Sequence, residues 1–518
     1  MDERLQAAWV LLPEYLGWHV VLSASALALG FLIAAPLAVL ASRNRPVRTV
    51  ALGLAGLVQT IPSLALLALF FPLLVLLSSA SEAALGLKFS ALGFLPSLLA
   101  LTLYSMLPIL RNGVAALQGV GPGLRDAAFS LGLSPTQRLW LVEAPVAAPV
   151  FMAGVRTAAV WVVGTATLAT PVGQTSLGNY IFTGLQTENW VAVLFGCAAS
   201  AALALIADGL LALVERGAAS GAWRLAGGAL AGLAVGTALA ATPLLGKGEA
   251  TYVVGAKNFS EQFILAEVMA DRLKRTGAKV RRSDGLGSAV AFRALASNEI
   301  DVYVDYSGTL WTNVLHRTDT PSREVMLAEL GRELERRYGV RLLGPLGFEN
   351  AYALAMTSAR AKALGVSSIA DLAARAPSLT MGGDVEFFSR SEWAALDRAY
   401  GLQFRTKKSF QPTFMYRALA SGDADVISAF SSDGRIAADH LVILADPKHA
   451  IPPYDAVILI APRRAHDGKL EAALKPLVGA IPVAAMQRAN YAVDGQGRTP
   501  AEAAKLLTAS PETPPPTP

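Results

Sequence analysis

Read by hydropathy, the first half of the chain is a succession of apolar runs. Six are long enough to cross a bilayer, whose hydrocarbon core of about 30 Å needs roughly 20 apolar residues: 18–41, 51–77, 91–110, 147–169, 190–213 and 225–245. After Lys247 short apolar stretches alternate with amphipathic ones. They predict a strand over Tyr252–Ala256, then a helix from Ser260 as N-cap, with Glu261 in its first turn, to about Thr276. A strand near 279–283, a helix near 288–298 and a strand over Ile300–Tyr306 follow. The expected fold class is an all-α six-span membrane domain followed by an α/β domain. Gly285-Leu286-Gly287 lies between strand and helix, but Val290 stands where a dinucleotide fingerprint needs its third glycine, so a plain tight turn is expected.

Composition sharpens the division. Residues 1–246 carry 20 charged side chains and residues 247–518 carry 63, in a chain of net charge +5. Neither half is strongly basic, which argues against a nucleic-acid partner. The single cysteine, Cys197, excludes a disulfide scaffold, and the N-terminus lacks the basic region and cleavage site of a signal peptide. Arginines cluster in alternate connections: Arg43, Arg45 and Arg48; Arg111, Arg125 and Arg138; Arg216 and Arg224. The connections 78–90 and 170–189 hold only Lys88. The positive-inside rule makes the arginine-bearing connections cytoplasmic, and six spans then put residue 247 onward outside. Pro62, Pro72, Gly154 and Gly164 within spans suit either broken helices lining a pathway or ordinary small-residue packing. No Asp, Glu or Lys sits mid-span away from the ends, which argues against an intramembrane proton relay.

The connection 111–145 is too polar to span and too apolar for a plain solvated loop. An amphipathic segment from Leu124 to Leu131 is stopped by Gly132; a second starts at Ser134 and reaches Pro145. Such an exposed helix reads as a docking element for a cytoplasmic partner or as a surface helix lying on the membrane. Asp126-Ala127-Ala128, then Gly132, then Leu141 to Pro145 resembles the coupling-loop signature of ATP-binding-cassette importer permeases, EAA–x3–G–x9–I–x–LP. Asp126 replaces the glutamate, and Glu143-Ala144-Pro145 departs from the terminal I–x–LP. The resemblance implies that Asp126, Ala127, Gly132 and Pro145 couple the permease to an ATPase, with Gly132 at a turn where a side chain would collide. This chain has no G-x-x-x-x-G-K-[ST], so hydrolysis is expected on a separate subunit, present in two copies.

In the second half, Tyr306, Tyr352, Phe430 and Tyr454 each stand at a loop or strand end beside Gly, Pro or Ser, where ligand sites form. Each alone also fits core or turn packing. No histidine has metal-ligand spacing and no nucleophile motif occurs, so neither metal, cofactor nor catalysis is expected. The stretches GAKNFSEQFILAEV, DVYVDYSGT, GPLGFENAYALAM, MYRALASGDADVISAFSSDGRI and PPYDAVIL resemble the substrate-binding proteins of importers for glycine betaine, choline, carnitine and related quaternary amines. That family is two-lobed, of the periplasmic-binding-protein type II kind. The resemblance implies a box of Tyr306, Tyr352, Phe430 and Tyr454 around a trimethylammonium group, with Asn350 and Arg390 as polar contacts and Arg390 holding a carboxylate. A quaternary ammonium donates no hydrogen bond, so ring faces are its natural partner. Arg390 also reads as a surface ion pair with Glu386 or Glu392. Ser391-Glu392-Trp393 and Phe430 depart from many relatives.

The expected organisation is a permease over 1–223, a sixth span and tether over 224–249, and a binding domain over 250–510. Its lobes would be 251–345 plus 437–510, and 348–430, with crossovers near Gly344–Asn350 and Phe430–Ile436. The tail 511–518 is expected to be disordered. Expected partners are the ATPase, a second copy of the chain, the bilayer and a small quaternary amine. Ergothioneine, which fused relatives also take, is the rival ligand; a membrane-tethered sensor is the rival function.

Overall fold

Long apolar runs fold as helices because a bilayer offers backbone groups no partner except those within the segment. The computed structural model describes residues 3–87, 89–187, 189–244, 251–317, 319–384, 387–410 and 412–508. The tail 511–518, residues 245–249 of the expected tether, Lys88 and Glu386 lie outside them. The chain divides into two compact units, Met1–Phe182 with Val191–Gly248, and Thr183–Trp190 with Glu249–Pro518.

The membrane unit is helical: α1 (Glu3–Arg43), α2 (Arg45–Thr60), α3 (Ser63–Leu85), α4 (Phe94–Gln118), α5 (Pro122–Ser130), α6 (Pro135–Arg138), α7 (Ala144–Ala166), α8 (Gly178–Gln186), α9 (Trp190–Ser220) and α10 (Trp223–Ala241). Six helices among the described residues are long and apolar enough to cross a membrane. The second differs from expectation. The run 51–77 is split at Ile61-Pro62, and the spanning helix is Ser63–Leu85. A proline pushes its predecessor out of the helical region, and Ile61 is extended, with φ −76° and ψ 127°. Gly154 fits the packing reading, because a Cβ there would come within 2.6 Å of Asn112. Arg156 of α7 forks onto Asp208 of α9 at 2.8 Å and reaches Glu215 at 2.8 Å, so these charges are paired side by side.

The second unit holds two five-stranded sheets. The first, in the order β2-β1-β3-β10-β4, is built from β1 (Tyr252–Lys257), β2 (Val280–Leu286), β3 (Val302–Tyr306), β4 (Arg341–Glu349) and β10 (Asp455–Ile460). The other, in the order β7-β6-β8-β5-β9, comprises β5 (Tyr352–Thr357), β6 (Thr380–Asp384), β7 (Thr406–Phe410), β8 (Val426–Phe430) and β9 (Leu441–Ile443). In each, three parallel strands are joined by an antiparallel strand beside the chain crossing. Thus two lobes share one topology. The boundary expected at 437 lies further on. β9 pairs with β5, and Ala445 bridges Ser368, so the second lobe runs to Ala445 and the chain returns through 446–454. The segment 430–436 packs against the first crossover without crossing: the Ser431 hydroxyl accepts from Ala351 N and donates to the Glu349 carbonyl. Ser260 also departs from expectation. The helix Ser260–Arg275 has Phe259 at its N-cap position, and the Ser260 hydroxyl donates to Asp494 instead.

Candidate functional site

Strand pairing brings the first two rings together. Tyr352, opening β5, stands directly opposite Phe430, closing β8, and such cross-strand neighbours touch. Their centroids are 5.0 Å apart. Tyr454 immediately precedes β10; its carbonyl accepts from Asn350 N at 3.0 Å, and its ring meets Tyr352 edge-on at 6.0 Å. Gly308 makes room for that ring, since a Cβ there would lie 2.6 Å from it. The Arg390 guanidinium, at the start of the helix Ser391–Tyr400, lies over Tyr352 with its carbon 5.5 Å from the centroid. Four of the six expected residues therefore form one cluster where the chain crosses between lobes. Phe387 joins it, 5.1 Å from Tyr352.

Tyr306 and Asn350 meet at a residue the sequence reading passed over. Glu261, 3% exposed, accepts the Tyr306 hydroxyl at 2.6 Å and the Asn350 amide at 3.0 Å on one oxygen, and the Asn490 amide at 2.9 Å on the other. Burial pushes its carboxyl above the usual range, against the pull of hydrogen bonds from Ser432, Tyr306, Asn490 and Asn350. Burial first, and then the Glu261 charge, push the Tyr306 phenol well up, so it stays a donor. Phe259 stacks on Tyr306 at 6.1 Å, and the buried Lys257 ammonium, paired with Asp305, sits 5.4 Å from its ring centroid. Among the described residues the Asn350 and Asn490 carbonyl oxygens are buried without a hydrogen-bond partner.

Glu392 was the other residue missed as a site group. It is buried, and it accepts the Tyr454 hydroxyl in close contact. Burial and then the Glu392 charge raise the Tyr454 phenol. In the sequence both glutamates stand in the first turn of a helix, where an acid reads simply as a dipole partner. A cavity of about 710 Å³ touches the ring cluster only at Tyr352 and lies against Arg323, Glu349, Asp446 and the Pro452-Pro453 crossover.

In the membrane unit the connection after α4 carries the second candidate site. Asp126 and Ala127 are exposed on α5, and Pro145 lies exposed in the first turn of α7. Gly132 stands at φ +74°, a left-handed conformation that glycine adopts at no cost. A Cβ there would meet nothing within 4 Å, so the expected collision is absent and the backbone angle is what calls for glycine. Ser134 and Gln137 then form a reciprocal capping box. Phe129 and Leu131 are 73% and 79% exposed. Glu143 is buried against Arg43 at 3.2 Å, Arg138 at 3.7 Å and Arg125 at 3.8 Å, tying α1, α5 and α6 to the start of α7.

Residues 26–220 match the family described as "Binding-protein-dependent transport system inner membrane component", and residues 250–508 match "Substrate binding domain of ABC-type glycine betaine transport system". The ergothioneine transport permease/ergothioneine binding protein EgtU of Helicobacter pylori is 30% identical over 486 residues, which covers 90% of this chain and 84% of that protein. The choline transport system permease protein OpuBB of Bacillus subtilis is 38% identical over 38% of this chain and 84% of its own length. The carnitine transport binding protein OpuCC of Listeria monocytogenes is 28% identical over 49% and 85%.

Proposed function

We propose, for a chain that belongs to the ABC-type importers with a permease fused to a glycine betaine-type substrate-binding domain, that it captures a quaternary ammonium solute among the rings at its lobe crossovers and delivers it to its own membrane domain. The chain is a transport subunit, not an enzyme. The single observation that supports the ligand class is the meeting of Tyr352, Phe430 and Tyr454 with Arg390 at one point of the cleft. Ring faces there suit a trimethylammonium, and Arg390 suits the carboxylate of a zwitterion. Tyr306 and Asn350 border the same place through Glu261. Rings at 5.0 and 6.0 Å touch, so a ligand seats only as the lobes shift to part Tyr352 from Tyr454, closure being driven by contacts made with the ligand. Ergothioneine stands as a second ligand reading, supported by the likeness to EgtU along nine-tenths of the chain.

The binding domain, 250–510, lies outside the cytoplasm at a bacterial inner or plasma membrane; the permease, 1–223, pairs with a second copy; the sixth span and tether, 224–249, join them. Two ATPase subunits dock on α5 and the turn at Gly132, with Asp126 and Ala127 facing the partner and Pro145 starting the helix that carries the motion inward. The exposed Phe129 and Leu131 supply apolar area for that contact. Calorimetry of the full chain in detergent, titrated with glycine betaine, choline, carnitine and ergothioneine, tests the reading. At least one is expected to bind, with its primary-amine analogue weaker by about tenfold, because a primary ammonium is more strongly hydrated and lacks the methyl groups that pack on the ring faces. Absence of binding by all four overturns the ligand class.

A further inference from the structure

Glu392 has no part in the reading above, yet its carboxylate is 1% exposed at the edge of the ring cluster. It belongs to the second lobe, on the first turn of the helix Ser391–Tyr400. Two of its partners belong to the first: the Tyr454 hydroxyl in close contact, and the Thr312 hydroxyl at 3.5 Å, both on Oε1. The carboxylate therefore reaches across the cleft between lobes. On its side away from the rings lies a cavity of about 30 Å³ lined by Glu392, Thr312, Asp319, Thr320, Arg398 and Pro452 and by none of the cluster rings, room for about one water-sized group. Arg390, two residues earlier, faces the Tyr352 ring. One cluster of rings is thus bordered by a fixed cation and by a fixed, buried anion.

We infer that Glu392 is a specificity-determining residue, and that the site takes a quaternary amine whose tail carries an O–H or N–H donor in preference to one whose tail is a carboxylate alone. This inference rests on the quaternary-amine reading. A carboxylate only accepts hydrogen bonds, and once buried it must be compensated by donors. A hydroxyl or ring N–H on the ligand supplies one, in a charge-assisted bond of roughly twice ordinary strength. Glycine betaine supplies none. Its carboxylate sits one methylene from the ammonium, so rings that hold the ammonium bring that charge close to Glu392, in surroundings where like charges repel far more than in water. A longer zwitterion satisfies both groups: its carboxylate goes to Arg390 and its donor to Glu392.

Competition among four ligands on the full chain in detergent tests this. Choline and carnitine carry a hydroxyl, ergothioneine carries ring N–H groups, and glycine betaine carries no donor. The tightest donor-bearing ligand is expected to exceed glycine betaine by about tenfold or more. In Glu392→Gln the gap should close to about threefold, chiefly because glycine betaine improves, while Glu392→Asp should keep the preference. Glycine betaine binding as tightly as the best donor-bearing ligand to the wild-type chain overturns the inference without any variant. So does an unchanged gap in a Glu392→Gln chain that melts like wild type. Failure of all four ligands to bind instead removes the quaternary-amine reading, and this inference with it.

Discussion

At the scale of the residue, the phenol groups of the proposed box should matter as well as its ring faces. From the sequence, only the ring faces count, and Tyr→Phe is expected to be mild at 306, 352 and 454. The structure separates these positions. Tyr306 and Tyr454 donate their hydroxyls to Glu261 and Glu392, both buried. Deleting a donor leaves a buried carboxylate short of one bond, which costs about 1–3 kcal/mol. Tyr306→Phe and Tyr454→Phe should therefore lower the melting temperature and weaken the bound quaternary amine, whereas Tyr352→Leu should mainly weaken binding, by about 1–2 kcal/mol of cation–π attraction. Thermal melts and calorimetry on the three variants check this. Wild-type behaviour of both phenylalanine variants would show that the carboxylates play no part. The rings were legible in the sequence because Gly, Pro and Ser mark the loop ends they stand on. The glutamates were not, because sequence spacing does not report that Glu261 meets an amide 89 residues away along the chain.

At the scale of the element, the connection after α4 was largely legible and the second span was not. Leu124 to Leu131, Gly132 and Ser134 carry local signals, and α5, the left-handed Gly132 and the Ser134 capping box all follow from them. Apolar length bounds the second span, and Pro62 within it suits a broken helix or small-residue packing; the break it imposes at Ile61 moves the spanning helix to Ser63–Leu85. The three-residue β9 left too short a pattern to read, and with it went the lobe boundary. Gly132 now yields a sharper prediction than a collision would. A side chain there meets open space but forces a left-handed angle, at about 1–2 kcal/mol. Gly132→Ala should lower stability by that amount at most and retain part of the uptake. Gly132→Trp should fold, still bind ligand, and abolish uptake by blocking the partner ATPase. Radiolabelled uptake in cells beside ligand binding by the purified chain separates the two steps; unimpaired uptake by Gly132→Trp would remove the docking proposal.

At the scale of the whole molecule, orientation follows from counting, and the count turns on α2. Six helices meet the length and hydropathy of a span. α2 is not among them: its 16 residues rise about 24 Å, short of the hydrocarbon core, and its first turn carries Arg45 and Arg48. Had it crossed, seven spans would reverse the side on which the second unit lies relative to the arginine-bearing connections. The charge asymmetry between 1–246 and 247–518 made the division into membrane and soluble parts legible without any structure; the parity needed the break at Pro62 to be interpreted as a helix that stays on one side. On the proposed orientation, with six spans and Arg45 cytoplasmic by the positive-inside rule, the binding domain is outside, where it would meet a solute before the permease does. In a Cys197→Ala background, which removes the one native thiol, a membrane-impermeant maleimide should label Lys505→Cys in intact spheroplasts and Arg45→Cys only after lysis. Both positions are exposed, so neither result reflects burial within the fold. The opposite pattern would mean that α2 or another segment changes the parity, and an importer whose trap faces the cytoplasm has no use for it.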